Sequence, residues 1–154
     1  MGLDMYLYTN SKVLAKKVAD EFYLGEAFDY DWCKRKGMIG YWRKVSGLHN
    51  WFVKNVQDSE DDCKFYEVTY EDLNNLYKEV KRANQTKDFG ELYPVQGFFF
   101  NPSDIEEWNW TALEYTERLL KFILDNIVTD DRGWTMYEAD EPDWELKIFY
   151  NASW

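Results

Sequence analysis

Gly2-Leu3-Asp4-Met5-Tyr6-Leu7-Tyr8-Thr9 decides the fold class. Its side chains alternate in character and are rich in Tyr, which reads as a strand with two unlike faces. Asn10 or Ser11 can then cap a helix whose apolar stripe is Val13, Leu14, Val18, Ala19 and Phe22, with Gly25 closing it. Met38 to Arg43 reads as a second strand. Ser46 is expected to cap a short helix with Leu48, Trp51, Phe52 and Val56 on one face. Cys63 to Val68 reads as a third strand.

Thr69 followed three residues later by Asp72 has the spacing of a capping box, with Asp in the usual Glu/Gln place. The helix it opens carries Leu73, Leu76, Tyr77 and Val80. Residues 84–97 read as loop, and Asn101-Pro102-Ser103 as a turn and N-cap. A long helix is expected from Thr111 to Val128, with Leu113, Thr116, Leu120, Ile123, Leu124 and Ile127 inward. Trp134 to Glu138 and Trp144 to Tyr150 read as a closing hairpin around Ala139-Asp140-Glu141-Pro142-Asp143. These elements predict a single α+β domain over residues 1–154. About five strands in a mainly antiparallel sheet pack with about four helices, and the chain closes on a β-hairpin.

Aromatic residues make up 19% of the 154, with 8 Trp, 12 Tyr and 10 Phe, and this excludes an intrinsically disordered chain. No stretch approaches the ~20 apolar residues of a membrane span. Met1-Gly2-Leu3-Asp4 lacks a basic, then apolar leader, and Tyr6 stands where a myristoylation signal needs Ser or Thr. The expectation is a soluble, cytoplasmic protein whose two cysteines, Cys33 and Cys63, stay reduced.

Charge is partitioned along the chain. Residues 1–87 carry 14 Lys/Arg and 14 Asp/Glu, whereas residues 88–154 carry 4 and 15, so the entire net charge of −11 lies in the second part. Such a field repels nucleic acid and anionic membranes and attracts basic surfaces. Asp104, Glu106, Glu107, Glu114 and Glu117 crown the long helix, Asp130 and Asp131 follow it, and Glu138, Asp140, Glu141, Asp143 and Glu145 decorate the hairpin. Trp134, Tyr137 and Trp144 are interleaved with them. Carboxylates steer and aromatic rings anchor, so this part of the chain is the candidate partner-binding surface. The bland reading of the same acids is a solvated face that keeps the protein soluble.

Catalytic signals are sparse. His49 is the only histidine, which excludes multi-histidine zinc sites, and two cysteines are too few for a cysteine zinc site. No glycine-rich phosphate loop is present, and no metal or cofactor is implied. Asp4 lies in an apolar strand, where a charge needs a partner, and Arg43 and His49 are the candidates. A small pocket of Asp4, Arg43 and His49, with Cys63 as a conceivable nucleophile, is the alternative to a purely structural polar cluster. Trp32, Lys34-Arg35-Lys36 and Tyr41-Trp42-Arg43-Lys44 form the one basic, aromatic stretch that could stack single-stranded bases. The overall charge opposes that use.

Several short pieces together resemble a family of small proteins encoded by phages, prophages and mobile elements. They are Met1-Gly2-Leu3-Asp4-Met5-Tyr6-Leu7-Tyr8, Tyr41-Trp42-Arg43-Lys44, His49-Asn50-Trp51-Phe52-Val53, Gln57-Asp58, Glu60-Asp61-Asp62-Cys63, Gly97-Phe98-Phe99-Phe100 and Phe149-Tyr150-Asn151-Ala152-Ser153-Trp154. The resemblance brings no catalytic residues. It implies a setting in which accessory proteins often inhibit host defence, anti-CRISPR proteins among them. Combined with the acidic second part, it points to an inhibitor of a basic, nucleic-acid-handling host protein, with a CRISPR effector nuclease as the leading target. The expected contacts are Glu106, Glu107, Asp130, Asp131, Glu138, Asp140, Glu141 and Asp143, with Trp134 and Trp144 as anchors.

Overall fold

A computed structural model describes residues 2–22, 37–94, 105–130, 133–136 and 146–154. Strand β1 (Asp4–Thr9) buries alternate residues, Met5, Leu7 and Thr9, as its sequence requires. Ser11 then caps α1 (Lys12–Glu21), its hydroxyl accepting the Leu14 N–H at 3.0 Å. Strand β2 (Met38–Arg43) follows, and Gly37 before it has φ +70°. A Cβ at Gly37 would run into the Thr9 carbonyl, so the turn beside β1 needs glycine.

Helix α2 (Ser46–Asn55) starts one residue earlier than expected. Val45 occupies the N-cap position without a side-chain bond, and Ser46 is the first helical residue. Strand β3 is shorter than expected, Tyr66–Val68. Helix α3 (Tyr70–Thr86) opens on the predicted capping box, with Thr69 Oγ1 accepting the Asp72 N–H at 3.1 Å and the Thr69 N–H reaching Asp72 Oδ2 at 3.0 Å. A short 3-10 turn (Gly90–Leu92) precedes α4 (Ile105–Asp125).

The C-terminal part departs from expectation. Helix α4 begins six residues before Thr111 and ends before Val128. Ile127 and Val128 instead belong to strand β4 (Ile127–Asp130), which forms an antiparallel hairpin with β5 (Gly133–Met136). Their β-branched side chains fit the helical spacing but favour a strand once the helix has ended. The last strand, β6 (Ile148–Ser153), does not pair with β5. It runs between β1 and β3 in a four-stranded antiparallel sheet of order β2-β1-β6-β3. The described residues are thus an α+β arrangement with four helices, a four-stranded antiparallel sheet and a separate two-stranded hairpin.

One face of the four-stranded sheet is the core face. Met5, Leu7, Trp42, Val68, Ile148, Tyr150 and Ala152 point into a buried cluster that all four helices join. Alternation puts Asp4, Tyr6, Tyr8, Tyr41, Phe149 and Asn151 on the opposite face, where they are half-buried. No helix among the described residues is long and apolar enough to cross a membrane.

Candidate functional site

His49 stands on α2, whose buried stripe faces the sheet. Its Nδ1 lies 2.7 Å from the Tyr150 hydroxyl and its Nε2 lies 2.8 Å from Asp61 Oδ1. A carboxylate only accepts, so Nε2 carries the proton and donates to Asp61. In the neutral ring Nδ1 is then the acceptor, and the Tyr150 hydroxyl donates to it. Tyr150 is fully buried and stacks on Phe52 with ring centroids 3.9 Å apart. Burial, reinforced by the Asp61 charge, pushes the Tyr150 phenol well above its ordinary pKa. An Asp-His-Tyr chain has the order of an activated nucleophile, but here the hydroxyl at its end is sealed from solvent and no substrate reaches it. It acts as a polar strut, buried at Tyr150 and His49 and reaching solvent at Asp61, that joins α2, the loop after it and β6.

Asp4 and Arg43 are cross-strand partners in β1 and β2, with Arg43 Nε 3.8 Å from Asp4 Oδ1. The tighter contact of Asp4 was not foreseen: the Tyr41 hydroxyl donates to Oδ1 at 2.7 Å. The Tyr41 phenol is pushed up to about 12, first by partial burial and then by that hydrogen bond and the Asp4 charge. Burial and the same carboxylate raise the Tyr6 phenol. Tyr6 packs against Tyr8 and Tyr41 at 5.7 and 5.3 Å, and Tyr8 meets Phe65 at 5.6 Å. The outer face of the sheet therefore carries a row of aromatic rings beside the Asp4 carboxylate.

The structure brings Asp4 and Arg43 together and places His49 on the other side of the sheet. Asp4 occupies an outward position of β1, whereas His49 meets the inward Tyr150. Cys63 is exposed and unbridged, and its carbonyl accepts from Asn151 Nδ2 at 3.0 Å. Both ring nitrogens of His49 are already engaged, so none is left to activate a thiol. Trp42 is buried, with Nε1 donating to Thr116 Oγ1 at 2.8 Å, and offers no face for a nucleotide base. Trp32, Cys33 and residues 34–36 lie outside the described residues.

Asp131, Glu138, Asp140, Glu141, Asp143 and Trp144 also lie outside the described residues. Asp130 and Trp134 fall in β4 and β5, and Glu106 in the first turn of α4, where only the backbone is described. Glu107 and Glu114 are exposed on α4. Among the described residues of the acidic part, the one ion-paired carboxylate is Asp125, 2.8 Å from Lys121 on the same helix. Glu117 accepts from Asn84 Nδ2 at 2.9 Å.

A groove lies where α4 crosses the end of β2. It encloses about 260 Å³. Buried Trp42 and Val45 form its base, Ala112 and Tyr115 its helix wall, and Tyr41, Arg43, Trp108 and Thr111 its rim. Trp108 is 48% exposed, yet its Nε1 donates to the Arg43 carbonyl at 2.9 Å, which pins the ring to the strand. Sequence reasoning missed this groove because it started the helix at Thr111. The signal was present: Trp108, Thr111, Ala112 and Tyr115 have the i, i+3, i+4, i+7 spacing of one helix face. Asp61 was hidden in a run of acids that gave no hint which one turns inward. The chain matches no family model, no curated protein and no solved structure.

Proposed function

We propose that this protein works by binding rather than by catalysis. In this reading it is an accessory protein of a phage or mobile element that inhibits a basic, nucleic-acid-handling host protein, with an RNA-guided nuclease as the leading target. One observation carries the reading. The whole net charge of −11 sits in residues 88–154, and among its described carboxylates only Asp125 forms an ion pair. Unmatched carboxylates on one part of a chain act on partners rather than on the fold. The lone histidine supports the same reading, because its ring is committed to Tyr150 and Asp61.

The test uses a purified guide-loaded nuclease and its cleavage of target DNA. The expected result is inhibition that weakens steeply as salt rises, since exposed charges are screened over about 8 Å at physiological ionic strength. Reversing Asp140, Glu141 and Asp143 to Lys should abolish inhibition with the circular dichroism spectrum unchanged. Inhibition by that triple variant at full strength would refute the reading.

A further inference from the structure

We propose that the groove between β2 and α4 binds a small free carboxylic acid with a hydrocarbon body. The body lies in the groove, and the acid head meets Arg43 and Lys44 at the end of β2. This ligand site goes beyond the partner-binding reading above and does not depend on it. Volume sets the size. About 260 Å³ lies just under the roughly 300–1,000 Å³ of sites for drug-sized ligands, and suits a molecule of about a dozen non-hydrogen atoms. The wall sets the nature of the body. Three lining rings have already spent their donors inside the protein: Trp42 Nε1 on Thr116 Oγ1, Trp108 Nε1 on the Arg43 carbonyl, and the Tyr41 hydroxyl on Asp4. A polar body would therefore give up water without finding those donors in its place, whereas a hydrocarbon loses nothing.

Charge at the strand end sets the head. Arg43 is the only charged residue among the described residues that line the groove. Its side chain is 57% exposed, and its guanidinium makes no hydrogen bond among the described residues. Asp4 Oδ1 stands 3.8 Å from Nε, and that oxygen already accepts from the Tyr41 hydroxyl at 2.7 Å. Lys44 folds to the same place: a Cβ on Gly2 would stand 3.2 Å from Lys44 Cε and 3.4 Å from Arg43 Nη2. Lys44 has no ion-pair partner among the described residues. Two cations thus share one carboxylate, which leaves a positive excess beside the groove. Arg118, one helical turn beyond Tyr115, is a further cation without an ion pair and lies 5.9 Å over the Phe22 ring. Glu107 and Glu114 are exposed on α4 but do not line the groove. A ligand that lays its body on α4 and turns its head to the end of β2 meets cations there. The arginine fork suits a carboxylate, and the lysine adds a point charge.

The probe is phenylbutyrate, compared with phenylbutylamine, which carries the same ring on a chain of like length and the opposite charge. Binding is followed by the Trp108 indole N–H resonance, assigned through Trp108→Phe. Phenylbutyrate should shift that resonance saturably, with an affinity about tenfold or more above that of the amine. Arg43→Gln with Lys44→Gln should abolish the preference for the acid, and added salt should narrow it in the wild type. Thr111→Trp, which fills the groove from an exposed position, should weaken phenylbutyrate about tenfold or more, whereas Thr111→Ser should not. Circular dichroism checks that each variant is folded. Equal affinity for acid and amine, a preference that survives the double substitution, or indifference to Thr111→Trp would overturn the proposal. So would tighter binding of a capped tripeptide with phenylalanine between two aspartates, because the occupant would then be a segment of an acidic protein.

Discussion

The two faces of the central sheet hold nearly the same chemistry under opposite conditions. On the inner face a carboxylate, an imidazole and a phenol form the chain Asp61–His49–Tyr150. On the outer face a carboxylate, a guanidinium and a phenol form the cluster of Asp4, Arg43 and Tyr41. Three of the four contacts are short, at 2.7–2.8 Å, whereas Arg43 stands 3.8 Å from Asp4, and the two clusters differ further in consequence. Between Tyr150 and His49 no water replaces a lost partner, so that bond is one the fold depends on, whereas Asp61, its side chain 55% exposed, is an end that water reaches. Outside, water stands ready, and the same contacts position side chains without deciding stability.

Packing gives the sharpest way to break this contrast. Phe52 is fully buried and stacked on Tyr150, whereas Phe65 on the outer side is 62% exposed and touches Tyr8. Phe52→Ala should cost ~3–5 kcal/mol in urea unfolding. Phe65→Ala should change stability by no more than about 0.5 kcal/mol. Comparable losses at the two sites would mean that the outer aromatic row is part of the core.

Removing one oxygen from each cluster sharpens the comparison. Tyr150→Phe keeps the stacked ring but leaves His49 Nδ1 buried without a donor, and should cost ~1–3 kcal/mol. Asp4→Asn loses its charge toward Arg43 on a surface open to water, and should cost under about 1 kcal/mol. Denaturation midpoints of the two variants, compared at neutral pH with equal m values, decide the matter. An Asp4→Asn loss larger than that of Tyr150→Phe would reverse the ranking of the two faces.

The same division between local and distant contacts governs what the sequence disclosed. Strand β2 was legible to the residue, because Met38-Ile39-Gly40-Tyr41-Trp42-Arg43 is bounded by Gly37 and by a helix start. The capping box at Thr69 and Asp72 was legible because its bonds span only three residues. The place of β6 was not. Its pairing with β1 joins residues such as Leu7 and Tyr150, and nothing in either strand names the other. The first turns of α4 were obscured by Trp108, Asn109 and Trp110, residues of modest helix propensity that tertiary packing holds in the helix. The site followed the same rule. Asp4 and Arg43 were paired correctly from neighbouring strands, but His49 was drawn to them in error. Strand alternation alone could place Asp4 outward, whereas only the fold could show that His49 faces Tyr150.

Titration at high pH compares the two phenols directly. Tyr41 in the folded protein ionises near 12, above the ordinary value of 10.0. A phenol whose folded pKa is raised stabilises the fold fully below pH 10, and that contribution fades as pH rises toward 12. Tyr41→Phe should therefore lose less stability than the wild type between pH 10 and 12, as read from thermal midpoints. Asp4→Asn should lower the Tyr41 midpoint in a tyrosinate absorbance difference titration against Tyr41→Phe. It should not return it to 10.0, because partial burial is the larger cause and survives the substitution. Tyr150 should behave differently: with its hydroxyl sealed beside His49 and Asp61, it should ionise only as the chain unfolds. A tyrosinate signal absent from Tyr150→Phe, rising while the far-ultraviolet circular dichroism is still native, would show that the inner face admits hydroxide and that the two faces differ less than their burial implies.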